Sequence, residues 1–332
     1  MKNTKMEYLL FDRLEKIKDV ILENPDEEFI LSFSGGKDST VLHYLLDLAI
    51  PENDIKRVFI NTGIEYKLLT KFVFDLAKND DRIKIIKPKI NIKTTLEKFG
   101  YPFKSKRHSI LVAAYQNNNN LTKSVSRYIG LTENPYTNVY ACPKKLFYQF
   151  EKKFNIKISK KCCDKLKKEP WKEYVKKIDK NVITILGLRQ QGEGLSRSTV
   201  NCLRYEGEKI KNFNPLAPIE EDFMDWFIKK YNIKLCELYY HPYNFKRTGC
   251  KGCPYDRYLK KDLKIMEKLL PSEFNQCNVI WKKVYDEYKR IGYRLDKEEV
   301  NLFNFDSKSI CRKCNFIAGM YRAKRWKTNC VS

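Results

Sequence analysis

The sequence predicts an α/β fold built on a doubly wound, mostly parallel sheet, and three observations carry that expectation. Short apolar runs rich in Ile, Val and Phe recur at residues 29–33, 58–60, 83–86 and 182–186. Each is too short for a typical helix and apolar without alternation, as strands covered on both faces are. Helical spacing fills the gaps between the early runs, at 40–48 and 66–76, and a pair of glycines joins the first run to the first helix. Strand and helix in alternation require crossover connections, hence a parallel sheet.

Ahead of the first strand, Leu9, Leu10, Leu14, Ile17, Val20 and Ile21 fall at helical spacing within residues 4–23, and Asn24-Pro25-Asp26 ends the pattern with turn chemistry. Residues 100–180 read as mostly helical and heavily basic, with the polar tract 117–120 as a loop. A further helix is expected from Pro218, with proline in its first turn, Glu220, Glu221 and Asp222 near the positive end of the dipole, and Lys229 and Lys230 near the negative end. Beyond about residue 240 the chain becomes cysteine-bearing and aromatic. The 332 residues allow about two domains, and the composition shift divides them into a nucleotide-binding α/β domain, 1–240, and a smaller helical region, 241–332, carrying part of the cysteine set.

No apolar run approaches the roughly 18 to 20 residues of a membrane span, so no membrane partner is expected. The first 24 residues interleave Lys2, Lys5, Glu7, Asp12 and Arg13 with their apolar residues and lack the continuous core of a secretory signal; a cytoplasmic location is expected. Lys and Arg outnumber Asp and Glu by 65 to 41, a net charge of +24. That field favours an anionic partner, a nucleotide or a nucleic acid, without choosing between them. The abundance of Lys, Asn and Ile also fits an AT-rich coding bias.

The strand 29–33 runs into Ser34-Gly35-Gly36-Lys37-Asp38-Ser39-Thr40 and then into the helical 41–46. Adjacent glycines let backbone N–H groups approach an anion, the helix start adds partial positive charge, and Ser34, Ser39 and Thr40 supply hydroxyl donors. Phosphate or pyrophosphate suits such a turn. A Walker A loop is excluded, because Asp38 follows Gly36-Lys37 and Leu31 stands where its first glycine would be. The bland alternative is an ordinary capped strand-to-helix turn.

Eleven cysteines in a reducing compartment point to metal ligands or catalytic thiols rather than disulfides. Cys162 and Cys163 are adjacent; Cys250 and Cys253 form a C-x-x-C in a Lys, Arg and Gly setting. Four thiolates meet the need of a cubane cluster, and nearby cations offset its charge. A zinc site and unligated buried thiols are the rivals. Cys311 and Cys314 form a second C-x-x-C, with Cys277 and Cys330 as companions, and suggest a second small metal site such as zinc, against reduced surface thiols.

The Ser34 to Ser39 turn resembles the SGGxDS loop of the PP-loop superfamily. Three further segments narrow that resemblance to the phosphoadenylylsulfate reductase family: Phe59-Ile60-Asn61-Thr62-Gly63-Ile64-Glu65-Tyr66; Ile185-Leu186-Gly187-Leu188-Arg189 followed by Glu193 and Ser196-Arg197, with extra residues between arginine and serine; and Asn214-Pro215-Leu216. The Cys-Cys plus C-x-x-C set resembles that of the adenylylsulfate reductases, in which a 4Fe-4S cluster sits beside the nucleotide.

The resemblance implies a PP-loop nucleotide-binding domain taking an adenosine nucleotide, either an activated sulfate or ATP with Mg. It places Ser34, Gly35, Gly36, Lys37, Asp38, Ser39, Thr62, Gly63, Arg189 and Arg197 at the nucleotide, gives Lys37, Asp38 and Arg189 catalytic roles, and makes Cys162, Cys163, Cys250 and Cys253 cluster ligands. A thiol reductant or a sulfur donor protein is the implied partner. Reductases of the family use a nucleophilic cysteine in an E-C-G-L-H segment, absent from this chain's Lys327-Thr328-Asn329-Cys330-Val331-Ser332. Two reactions therefore stay open, sulfonucleotide reduction and ATP-dependent sulfur transfer, the latter including modification of a nucleic acid as in DNA phosphorothioation or tRNA thiolation. A non-catalytic zinc or iron-sulfur protein that binds nucleic acid is the alternative of a different class.

Among the remaining candidates, Lys104, Lys106, Arg107 and His108 form either an anion clamp or a solvated basic loop. The three histidines, His43, His108 and His241, share no metal-ligand spacing, and His43 reads as a packing residue. The aromatic stretch 239–243 reads as a shield around the cysteines.

Overall fold

The computed structural model describes residues 2–118, 121–132, 141–190 and 200–297. Helix α1 (Lys2–Leu22) precedes β1 (Glu28–Ser32), α2 (Lys37–Ala49), β2 (Lys56–Ile60), α3 (Lys67–Ala77) and β3 (Ile83–Ile86). The helices α4 (Ile92–Phe99), α5 (Lys106–Asn118) and α6 (Lys123–Ile129) follow. Next, α7 (Lys161–Cys163) continues through a π turn at Asp164–Lys168 into α8 (Glu169–Val175). The chain then re-enters the sheet at β4 (Val182–Ile185), forms β5 (Leu203–Glu206) and β6 (Lys209–Phe213), and ends with α9 (Glu221–Lys230), α10 (Leu259–Leu269), α11 (Pro271–Ile280) and α12 (Lys282–Ile291).

The strand order is β3-β2-β1-β4-β6-β5, with every pair parallel except the hairpin β5-β6. From β1 the chain winds outward through β2 and β3, then returns to lay β4 on the other side of β1. The order thus reverses between β1 and β4, and the crevice beyond the carboxyl ends of those two strands is where doubly wound sheets bind ligands. All four expected strands are present, and Ile30, Leu31, Val58, Phe59, Ile183 and Ile185 are buried as predicted.

Two expectations are corrected. The helix expected from Pro218 begins at Glu221 with Glu220 as its cap residue, and Pro218 lies exposed ahead of it. Pro218 therefore shapes the approach, while Glu221, Asp222, Lys229 and Lys230 keep the dipole-matched positions. The polar tract expected as a loop is helical through Asn118; the rest of that tract lies outside the described residues. The hairpin β5-β6 went unread because its strands carry the polar runs LRYE and KIKNF, whose outer positions face solvent.

Buried apolar side chains gather into two clusters. One lies on the sheet and unites α1, α2 and α9 through Ile17, Leu42, Leu45, Phe223 and Phe227. The other joins helices from the middle of the chain to those of its end, with Phe103, Val112, Leu146 and Leu166 beside Met266, Trp281, Val284 and Tyr288. Residues distant in sequence therefore share the second cluster, and Cys162 and Cys277 are among its buried members.

At the amino ends of the strands lies a charged knot. Arg57, fully buried, donates to His43 Nδ1 at 3.2 Å, Asn53 Oδ1 at 2.8 Å and Asp47 Oδ1 at 2.6 Å, while Arg82 adds a second cation on Asp47. Desolvation by burial pulls the His43 pKa down to about 4. His43 is thus a structural acceptor, remote from the ligand crevice.

Candidate nucleotide and cysteine site

The loop 33–36 leaves β1 at the crevice and enters α2. Gly35 has φ +69°, where side chains are strained, and a methyl group there would come within 2.6 Å of Val73 Cγ2. Ser34 and Ser39 brace the bend: their hydroxyls lie 3.0 Å apart, the Ser34 N–H donates to Ser39 Oγ at 3.2 Å, and Ser39 Oγ donates to Gly36 O at 3.0 Å. Gly187, just past β4, presses on the same helix start. A methyl group on it would lie 3.1 Å from the Asp38 carbonyl carbon and 3.2 Å from the Ser39 nitrogen. Only a residue without a side chain lets the two parallel strands deliver their loops this close.

Charged groups from α2, α9 and the loop after β4 meet over this helix start. Arg189 donates through Nε to Asp38 Oδ1 at 3.1 Å and through Nη2 to Glu221 Oε2 at 2.6 Å. Lys37 Nζ pairs with Glu221 Oε1 and approaches Asp225 Oδ1 at 3.5 Å. The sequence-expected Lys37, Asp38 and Arg189 are therefore brought together, and Glu221 is the member that sequence reasoning missed as a site residue. Its acidic first-turn position was visible; its reach to both cations depends on how α9 packs. Two cations and a helix start can hold a polyanion once Glu221 releases them.

Thr62 does not face the helix start as a donor. Its N–H and hydroxyl both go to the Glu65 carboxylate, at 2.9 and 2.7 Å. Gly63 is exposed. This segment is instead tied to the cysteine loop, because the Lys251 N–H donates to Ile64 O at 2.9 Å. Arg197, with Glu193 and Ser196, lies outside the described residues, as do Cys311, Cys314 and Cys330.

Cys162 and Cys163 sit at the start of the helix that becomes the π turn, and Cys250 and Cys253 on the loop before α10. The two pairs act on one another electrostatically. Cys163 raises the pKa of both Cys250 and Cys253, while Cys250 and Cys253 raise that of Cys162. The hydrogen bond between Cys162 and Cys163 splits that pair, raising Cys162 and lowering Cys163, with Lys106 and Lys167 assisting the latter. Burial is the main cause that raises Cys250 and Cys253, and Lys167 hydrogen-bonds Cys250 and is itself raised by it.

Four thiols with lysines near them have the donor chemistry of a thiolate-held metal group. Among the described residues, no three Cys, His, Asp or Glu side chains close around one point as a single metal ion requires.

The two halves of the site touch. Tyr239 Oη accepts the Lys37 N–H at 2.9 Å and lies 2.8 Å from Thr248 Oγ1, two residues before Cys250. A methyl group on Gly36 would stand 3.5 Å from that same Thr248 oxygen. The C-x-x-C turn is fixed from behind: Trp281 Nε1 donates to Lys251 O at 3.1 Å, Tyr285 Oη to Gly252 O at 2.5 Å and Tyr288 Oη to Pro254 O at 2.9 Å.

A model of the phosphoadenosine phosphosulfate reductase domain matches residues 28–134 and 130–256, a span that includes both the glycine bend and all four cysteines. The chain belongs to that family. A protein of Methanocaldococcus jannaschii described as uncharacterized is 28% identical over 303 residues, covering 87% of this chain and 56% of its own length. The chain thus spans about half the length of the curated relative it matches.

Similar solved structures include a phosphoadenylyl-sulfate reductase of Candida auris in a phosphate complex, at 14% identity and TM-score 0.37, covering 64% of this chain and 76% of that one. An FMN adenylyltransferase of Candida glabrata is 12% identical with TM-score 0.43, covering 74% and 63%. A U34-tRNA thiolase of Methanococcus maripaludis with its 4Fe-4S cluster is 16% identical with TM-score 0.32, covering 94% and 89%. Likenesses of this degree carry no argument about substrate or cofactor. In this member of the family, no helix among the described residues is long and apolar enough to cross a membrane.

The basic cluster after residue 103 divides. His108 is buried between Tyr128 Oη at 3.0 Å and Gln149 Oε1 at 2.8 Å, and burial pulls its pKa down to about 4. A neutral histidine enclosed in the helical core is no anion clamp, which corrects that reading for His108. Lys106 stays exposed and faces Cys163. Tyr239 exceeds the shielding role expected of it, since its hydroxyl joins the glycine bend to the cysteine loop.

Proposed function

We propose that this member of the family is an enzyme that binds the phosphate or sulfate end of an adenosine nucleotide at Ser34 to Ser39, beside a 4Fe-4S cluster held by Cys162, Cys163, Cys250 and Cys253. The observation that carries the reading is the Lys37–Tyr239–Thr248 linkage, which sets the glycine bend against the loop of Cys250 and Cys253. In this reading backbone N–H groups of the bend hold the anion, and Lys37 and Arg189 neutralise charge that develops on it. Asp38 orients Arg189. When bound, the cluster supplies a charged, polarisable neighbour to the reacting sulfur or phosphorus, and Lys106 and Lys167 offset the charge of its thiolates.

Sulfonucleotide reduction and ATP-dependent sulfur transfer both use such a site. The net charge of +24 favours a polyanionic acceptor such as nucleic acid for the second, with Mg accompanying ATP. Each described cysteine outside the four, Cys142, Cys202, Cys236 and Cys277, is raised by burial, so none is a poised nucleophile. The thiol for either reaction then comes from a donor or reductant, or from the cysteines beyond residue 297.

The decisive experiment purifies the full chain without oxygen, measures iron and labile sulfide, and offers ATP, adenylylsulfate and phosphoadenylylsulfate. Iron and sulfide near four per chain, as a cubane demands, with sulfite released from a sulfonucleotide supports reduction; pyrophosphate or AMP released from ATP supports sulfur transfer. Zinc in place of iron, with no nucleotide turnover, sinks the reading and leaves a binding protein.

A further inference from the structure

Tyr239 occupies an unusual place. Its ring packs against both apolar clusters, the one on the sheet and the one among the helices. Its hydroxyl sits on the first N–H of α2, a donor that a phosphate at this helix start would use. A phenol oxygen that accepts from Lys37 N–H has its own proton free to donate, and Thr248 Oγ1 lies 2.8 Å away. Thr248 in turn leads within two residues to Cys250. The Lys37 N–H carries one proton and cannot serve the tyrosine and an anion equally.

We propose that Tyr239 is a positioning residue that couples occupancy of the phosphate turn to the conformation of the cysteine loop. This rests on the turn being an anion site, as argued under the proposed function. An incoming phosphate oxygen takes the Lys37 N–H, the tyrosine hydroxyl withdraws, and Thr248 loses or reorients its partner. Residues 246–253 are held on their carboxyl side through Lys251 and Gly252, so the change falls at Thr248 and the residues beside it. The phosphate site thereby reports its state to the segment that carries two of the four sulfurs. The device needs no movement of the sheet, because Tyr239 sits at the seam between the two clusters.

The test uses the full chain with pyrophosphate as the probe, Tyr239→Phe and Thr248→Val as variants, and two readouts: calorimetric affinity and amide hydrogen exchange of residues 246–253. In the unaltered protein, pyrophosphate is expected to change exchange in that segment. Tyr239→Phe keeps the ring and removes the competitor, so pyrophosphate is expected to bind about three- to tenfold tighter, with no change in exchange at 246–253. Thr248→Val is expected to uncouple exchange as well. Equal exchange responses in the unaltered protein and Tyr239→Phe overturn the proposal, as does weaker binding by that variant, which makes the hydroxyl a ligand of the anion. Binding without any exchange response in the unaltered protein overturns the coupling alone; no binding overturns the phosphate-turn reading and the coupling with it.

Discussion

Arg189, delivered by β4, and Asp38, delivered by β1, meet at 3.1 Å over the start of α2, although 151 positions separate them. The meeting follows from the sheet order, since β1 and β4 are neighbours whose carboxyl ends point the same way. Glu221 completes the group by accepting from Arg189 and pairing with Lys37.

Glu221 holds both cations that an anion would recruit. Glu221→Gln removes the competing charge, and pyrophosphate affinity is expected to rise about three- to tenfold by calorimetry. Arg189→Gln is expected to reduce nucleotide turnover about a hundredfold, the scale of losing one charge-stabilising donor. An unchanged turnover in Arg189→Gln would remove it from the active machinery.

Gly187→Ala places a methyl group against backbone of Asp38 and Ser39 rather than against a yielding side chain. We expect a loss of about 1–3 kcal/mol in urea unfolding, together with weakened pyrophosphate binding, because the helix start must shift. Preserved binding at wild-type strength would show that the close approach has no part in the site.

Cys163→Ser and Cys250→Ser should each lower iron in the anaerobically purified protein, measured against protein by colorimetric assay. Cys236→Ala is the control: Cys236 is buried in the helical cluster, and its burial-raised thiol interacts with none of the four cysteines. Equal iron in all three variants would exclude the proposed ligand set.

Asp47→Asn leaves the wholly buried Arg57 without its carboxylate. Breaking such a pair costs about 3–5 kcal/mol, to be read from urea midpoints. Pyrophosphate binding should persist under native conditions, because the charged knot lies at the opposite ends of the strands from the glycine bend.

The buried histidines set a pH dependence. Burial lowers His108 to about 4 from the ordinary 6.5, so the folded chain binds fewer protons than the unfolded chain between those values. Its contribution is complete above 6.5 and is lost as pH falls toward 4, about 3 kcal/mol at 1.36 kcal/mol per pKa step. Asp262, raised by burial to about 7, acts in the opposite direction over much of the same range. The informative measure is therefore the stability gap between wild type and His108→Asn, which should shrink by about 3 kcal/mol from pH 7 to pH 4. A gap independent of pH would show that His108 titrates normally when folded.

The parallel sheet and the glycine bend that leads into α2 were legible in the linear chain. Apolar strand runs, helical periodicity and adjacent glycines are local features, and local sterics and solvation act on them directly. The Cys-Cys pair and the C-x-x-C were also visible, because paired spacings survive in the linear chain. What it left unread was relational. The hairpin β5-β6 lacks apolar alternation; Glu221 looked like a dipole residue, and Tyr239 like a shield. Their roles depend on which loops the strand order brings together, and on two apolar clusters that join residues far apart in the chain. Only the tertiary structure decides such meetings, since a side chain's partner across a crevice is set by packing of whole elements and leaves no periodic mark on the sequence.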